Sequence, residues 1–282
     1  SVNVSYGIQE YGQSKTGANS MSSNSGIYES ARANLPYAVP YDENGERILY
    51  PGGDDAIRTV ANEWNYSQDQ RVTFRTFGSL YAQVDFGKIN KSLDGLKYRM
   101  NFGPDFSMYR DGIYLDKLSV IRTGSSFASL SKSQTLSFTL DNLIYYDKIF
   151  GKHSFGLTLL QSMTKYNTES NSMSADNVPF SSQKWNALNN SDVPELRSWA
   201  SGLIERQLMS YMARINYNFN QRYLLTASGR WDGASQLAEG HKWAFFPSLA
   251  LGWRLDQEDF LQNVDWIDQL KIRLGYGTTG NS

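Results

Sequence analysis

The sequence has no cysteine, which excludes a disulfide framework and any thiolate metal site. Only 2 histidines, His153 and His241, are available as imidazole ligands. The formal net charge is -1 with 20% charged residues, so no basic field invites nucleic acid as a partner. Nowhere is there an apolar run of about 18 residues, and no transmembrane helix is predicted. No basic stretch followed by an apolar core opens the chain, so any secretion signal is expected to have been removed or to lie outside this sequence. None of these absences bears on a membrane barrel, because alternating lipid-facing and water-facing residues cancel in any hydropathy window.

Aromatic residues make up 14% of the chain, with 18 tyrosines, and Asn, Ser and Gly fill the segments between apolar runs. That is a β composition with polar loops. In the stretch KWAFFPSLALGWRL, Trp243, Phe245, Pro247, Leu249, Leu251, Trp253 and Leu255 alternate with Ala244, Phe246, Ser248, Ala250, Gly252 and Arg254. Period two denotes a strand. The same alternation runs through Tyr211 to Phe219, Tyr223 to Trp231, Leu270 to Tyr276, Leu96 to Phe102, Leu136 to Leu140 and Phe155 to Leu159. A longer, less regular series spans Val72 to Phe86, and Val2 to Ile8 opens the chain in mid-pattern. About nine strands are predicted. Pro247 has no amide hydrogen, so a bulge or strand end is expected there.

The expected connections alternate in length: long at 10–70, short at 87–94, long at 108–131, short at 147–152, long at 167–205, short at 220–222, with 233–241 and 256–269 intermediate. The last of these is expected to hold a short helical turn. This is the habit of an up-and-down membrane barrel, with brief turns on the periplasmic side and extended outer loops. Loop stretches such as residues 20–30 and 167–177 are rich in Ser, Asn and Gly, which suits solvent exposure. Trp243 and Trp253 are ten steps apart, roughly 33 Å at ~3.3 Å per residue. At a strand tilt of ~45° this projects to about 23 Å, close to the ~25 Å apolar band between the aromatic girdles of an outer-membrane barrel. Two other readings are weighed beside it: a soluble all-β binding or adhesion module, with the apolar faces forming a sandwich core, and an outer-membrane barrel enzyme.

The segment GRWDGASQLAEGHKWAFFPSLALGWRL (229–255), followed by LKIRLGYGTTGNS (270–282), closely resembles the SusC/RagA family of TonB-linked outer-membrane proteins. The resemblance rests on Arg230 to Ser235, on Phe246-Pro247-Ser248 and on Leu270 to Asn281, with weaker likeness over most of the chain. It implies an all-β fold, an antiparallel up-and-down transmembrane β-barrel of which this chain is an incomplete segment of about nine strands out of 22. It also implies a gated importer of oligosaccharide or peptide nutrients in the outer membrane of a Gram-negative bacterium, a SusD-like surface lipoprotein as lid, and coupling to the TonB complex through an N-terminal part. The plug, the TonB box and the closing strands are expected to lie outside residues 1–282, and no cofactor is implied.

On the face opposite the apolar series the sequence places Arg99, Arg214, Arg230, Asp232, Arg254 and Arg273, with Asp141. These are candidate lumen-lining residues, able to pair with a plug or line a solute path; the plainer reading is Arg and Asp neighbours pairing along the wall. Tyr109, Tyr114, Trp185 and Trp199 fall in expected loops and are candidate ligand-contact residues, since aromatic faces suit the apolar faces of sugar rings. Pinning of the loops to the rim is the alternative. His153 and His241 are expected on opposite sides of the membrane, which leaves no catalytic triad and no metal site, so no enzyme is predicted. The run Asp42 to Glu46 reads as a hairpin turn rather than a metal loop.

Overall fold

The computed structural model describes residues 1–10, 31–54, 57–122, 124–194, 197–261 and 267–280. The loop stretch 20–30 and Asn281 lie outside the described residues. Ten antiparallel strands form one sheet: β1 (Val2–Glu10), β2 (Ser67–Gly78), β3 (Leu80–Asp85), β4 (Leu96–Leu115), β5 (Phe127–Phe150), β6 (His153–Asp176), β7 (Arg197–Phe219), β8 (Tyr223–Ala234), β9 (Trp243–Arg254) and β10 (Lys271–Gly277). Strands neighbouring in sequence pair in space, except that β2 and β3 both pair with β4. Phe77 faces Asp105 and Leu80 faces Phe102, so β2 and β3 keep a single register. Their break at Gly78 and Ser79 lies opposite Gly103 and Pro104, and Ser79 exchanges backbone hydrogen bonds with Ser1 instead. The sheet is therefore nine positions wide, as the alternation predicts, and the irregular 72–86 series is one interrupted strand. β1 and β10 are its two open edges.

Register carries the alternation across the sheet. Tyr223 faces Trp253, Leu225 faces Leu251 and Ala227 faces Leu249, while Ile272 and Leu274 continue the same face into β10. No second sheet and no long helix lies against that face among the described residues. Its large side chains stay exposed, Leu249 at 46% and Leu274 at 69%. The chain exposes 18580 Å², about half again the ~12,000 Å² that a compact soluble monomer of this mass would show. A sandwich requires two layers facing each other about 10 Å apart, so the soluble-module reading fails here. The sheet is an open segment of an up-and-down transmembrane β-barrel.

Aromatic rings gather at both ends of the apolar band. At the short-turn end, Phe150, His153, Phe219, Tyr223 and Trp253 form a continuous series of ring contacts, with centroids 4.9 to 6.4 Å apart. At the other end Trp243 lies 5.1 Å from Trp231 and 6.2 Å from Tyr211. Two glycines admit these rings to the sheet surface. A Cβ on Gly233 would come within 2.6 Å of the Trp243 indole, and one on Gly229 within 2.8 Å of Phe245. Such aromatic-on-glycine pairs cover exposed backbone and help pin register.

The structure narrows one expectation and corrects another. β9 runs past Pro247 with no bulge, Pro247 facing Gly229 in register. Its carbonyl accepts from the Thr278 amide; a residue's N–H and C=O point to the same neighbour, so the missing donor faces β10 where that ladder ends at Gly277. The long connections are also shorter than predicted, because β4 and β5 extend to leave only 116–126 between them, and β6 and β7 likewise leave 177–196. The 24 residues of β6 span roughly 80 Å at ~3.3 Å each, or about 56 Å along the membrane normal at ~45° tilt, twice the apolar band. In the three-residue turn 220–222, Asn220 and Gln221 take positive φ and the Arg222 amide donates to the Phe219 carbonyl, the dihedral signs of a type I′ turn. The connection 255–270 holds a 3-10 turn at Leu255–Gln257.

Residues 249 and 250 are adjacent on β9 but face opposite sides. In the intact barrel, Leu249→Arg is expected to cost about 2–4 kcal/mol of folding stability in lipid vesicles, as for a cation near the bilayer midplane, and Ala250→Arg close to nothing. Denaturant titration of the two variants checks this; equal costs would mean the two faces meet the same environment.

Candidate functional site

The polar face presents the candidate lumen residues in two groups. Arg230 donates to Asp232 at 2.8 Å and to Ser210 at 3.0 Å, with Ser210 fully buried beneath it. Arg254 donates to Asp256 at 2.7 Å, and Arg99 donates to Asn101 at 2.7 Å while its guanidinium lies 4.4 Å from the Tyr81 ring. Asp141 accepts from Ser162 at 2.6 Å. These groups are held by the wall itself. Arg214 and Arg273 are exposed and make no hydrogen bond or ion pair among the described residues. Register set Arg230 and Asp232 on one face two residues apart. A further wall pair, Arg75 with Asp105 at 2.6 Å, was missed although both residues occupy polar-face positions, because finding it needs the β2–β4 pairing.

At the long-loop end the structure separates the four aromatic candidates. Tyr114 and Trp185 are 2% and 6% exposed, packed with Ala128, Ala175 and Val178. Tyr114 lies near the end of β4, and Trp185 in the 177–196 connection folds over Gly112, where a Cβ would meet the indole at 2.4 Å. These two rings fasten that connection to the strands and offer no free face. Tyr109 is not in a loop but on the polar face of β4, opposite Ser133, with the Arg71 guanidinium 5.8 Å from its ring. Trp199 is on β7 and 78% exposed. Tyr37, Trp64 and Phe180 are also exposed at this end and were not singled out from sequence.

Beneath them a polar clamp joins the β1–β2 and β4–β5 connections. The Glu63 carboxylate, 1% exposed, accepts from the Ser119 hydroxyl at 2.6 Å, the Val120 amide at 3.1 Å and the Arg47 guanidinium at 3.0 Å. Arg47 also donates to the Leu118 carbonyl at 2.8 Å and lies over the Tyr66 ring. Burial raises the Glu63 carboxyl above its ordinary value, against the opposing pull of Ser119, Val120 and Arg47. The Asp42 to Glu46 run is the expected hairpin turn: Gly45 takes positive φ, and Asp42 Oδ1 accepts the amides of Asn44 and Glu46 at 2.9 and 2.7 Å.

At the short-turn end Glu258 accepts from Tyr223 at 2.8 Å, Trp253 at 3.0 Å and Arg222 at 3.0 Å, fastening the 255–261 turn to the aromatic series. The Trp253 hydrogen bond foremost holds its carboxyl below the ordinary value. Arg254, then Gln257, hold Asp256 down to about 2. His153 contacts Tyr217 at 2.7 Å at this end, and His241 lies at the other, in the β8–β9 connection. Among the described residues no cluster of His, Cys, Asp or Glu is arranged to hold a metal.

The family described as "TonB dependent receptor-like, beta-barrel" matches residues 7–282. The chain is 30% identical over 267 residues to TonB-dependent receptor P26 of Formosa agariphila, covering 90% of this chain and 26% of that protein. It is 44% identical over 86 residues to TonB-dependent receptor SusC of Bacteroides thetaiotaomicron, covering 30% of this chain and 9% of that one. Its fold is similar to the solved structure of the RagAB peptide transporter, with a TM-score of 0.70 at 19% identity, over 99% of this chain and 31% of that chain. The chain spans about a quarter of the length of the first two curated relatives it matches.

Removing the Arg47 guanidinium leaves Glu63 buried without its cation, a loss of about 3–5 kcal/mol for a pair of this kind. Arg47→Ala is expected to open the clamp and speed limited proteolysis within 31–66 and 116–122. The paired apolar replacement Arg47→Met with Glu63→Leu is expected to recover much of the resistance. Unchanged cleavage in Arg47→Ala would show that the clamp does not hold these connections.

Proposed function

This chain belongs to the TonB-dependent receptor-like β-barrel family, and we propose that it is part of the wall of a gated nutrient importer in the outer membrane of a Gram-negative bacterium. The observation that carries this reading is the single sheet with one apolar face bracketed by two aromatic series and one face of small and charged residues. Such a wall encloses a polar lumen when its open edges are continued by further strands. The short turns then face the periplasm, and the clamped connections with Trp64 and Phe180, together with the Trp199 end of β7, face the medium. The rest of the receptor would supply the remaining strands, a plug and the TonB-contacting segment, and a SusD-like lipoprotein would lid the opening.

The solute we propose is an oligosaccharide, on the strength of the 44% identity with SusC over 86 residues. The fold shared with the RagAB peptide transporter favours a peptide as the second reading. Within the lumen, Arg230, Asp232, Arg254 and Arg99 serve the wall, while Arg214 and Arg273 reach the plug or the passing solute. Of the four aromatic candidates, Trp199 and Tyr109 keep a surface open to ligand.

Deleting the gene in its own bacterium is expected to abolish growth on a narrow set of oligosaccharides, and the same loss is expected on removing the energising TonB complex. Arg214→Gln with Arg273→Gln in the full-length receptor is expected to weaken uptake about tenfold, the worth of a hydrogen bond to a charged group, without lowering the amount of folded barrel. A defect confined to peptide growth would transfer the proposal to the second reading; no defect on any polymer-derived nutrient would overturn it.

A further inference from the structure

A polar chain crosses the apolar face. The Tyr98 hydroxyl donates to Asn142 Oδ1 at 2.6 Å, Asn142 Nδ2 donates to Gln161 Oε1 at 2.6 Å, and Gln161 Nε2 reaches Met209 Sδ at 3.2 Å. All four belong to the face that carries Ile144, Leu159 and Trp231. Along β5 the same-face neighbours of Asn142 are Leu140 and Ile144, and along β6 those of Gln161 are Leu159 and Met163. Two primary amides thus sit inside the apolar band, where an unmet polar group is costly. Each amide nitrogen carries two hydrogens and a thioether is a weak acceptor, so the chain leaves donor capacity on both.

These amides border a groove of about 470 Å³, within the size range of small-ligand sites, roughly 300–1,000 Å³. Ala213 and Gly229 are its small lining residues, and Trp231 and Phe245 line it with aromatic rings. Four residues beyond Gln161 on the same strand and face stands Lys165, about 13 Å further along the strand. It makes no ion pair among the described residues, and a lysine at the edge of an apolar band carries its ammonium to headgroup level. An apolar trough, hydrogen-bond donors part-way along it and a cation further along the same strand face suit an acyl chain bearing a hydroxyl, attached to a phosphorylated headgroup.

We propose that this groove holds an acyl chain of a phosphorylated, hydroxyacylated glycolipid of the outer leaflet, its hydroxyl bound by Asn142 and Gln161 and its phosphate by Lys165. The site lies outside the solute path and rests on the outer-membrane placement proposed above. The test is native mass spectrometry of the full-length receptor extracted from its own membrane in mild detergent. Wild type is expected to retain one glycolipid per barrel. Asn142→Leu with Gln161→Leu, and separately Lys165→Glu, are each expected to lower the retained fraction about tenfold, with folding verified by resistance to unfolding in cold SDS and with Leu274→Val retaining the wild-type amount. Bare wild-type barrels, equal retention in all variants, glycerophospholipid alone, or a groove covered by a second copy of the chain would each overturn the site. Recovery of the receptor outside the outer-membrane fraction would instead overturn the placement, which separates the two failures.

Discussion

The contact between one face of the sheet and hydrocarbon is the constraint from which the other features follow. In hydrocarbon no water can satisfy a free amide or carbonyl, so every backbone group must pair within the sheet, and only a closed set of strands survives. The unbroken register from β4 to β9 meets that demand. Both prolines within strands stand where the ladder already ends or is interrupted, Pro247 at the close of the β10 pairing and Pro104 opposite the β2–β3 break. A soluble sheet could hide its apolar face under a second layer; this one has none among the described residues, and its leucines and tryptophans remain open to the surroundings.

That constraint also explains why the segment from Arg230 to Ser235 is so distinctive. Each member has a structural task. Arg230 and Asp232 neutralise one another on the polar face, Trp231 meets Trp243 at a tilt in the aromatic series, Gly233 leaves room for the Trp243 indole, Ala234 is buried, and Ser235 binds the Gln207 backbone amide through its hydroxyl. The motif builds a wall where an aromatic girdle crosses it. The same logic divides the arginines singled out from sequence, with Arg99, Arg230 and Arg254 spent on neighbours and Arg214 and Arg273 extending from the polar face without a partner among the described residues.

Strand direction, face and number were legible in the sequence because hydrocarbon on one side and polar groups on the other impose a strict period of two. Where strands rise beyond the band the signal disappears: on β6, Lys165, Asn167 and Glu169 share one face and Tyr166, Thr168 and Ser170 the other, so both are polar and the residues read as loop. This is why Tyr109, Tyr114 and Trp199 were expected in connections and stand on strands. The burial of Tyr114 under Trp185 depends on how a connection folds back, which alternation cannot report. The Glu63 clamp joins residues 16 and 56 positions apart, with no periodic cue linking them, whereas the Asp42 hairpin is local and was readable.

Depth-resolved fluorescence quenching tests the hydrocarbon contact most directly. Full-length receptor reconstituted in vesicles, with tryptophan kept only at 253 or introduced only as Leu249→Trp, is exposed to lipids brominated at shallow or deep positions on their acyl chains. Emission from position 249 is expected to be quenched most by deep bromines and that from Trp253 most by shallow ones, with aqueous iodide leaving position 249 untouched. Indifference of both positions to every brominated lipid would contradict it, because the apolar face would then be covered by protein or water instead of acyl chains.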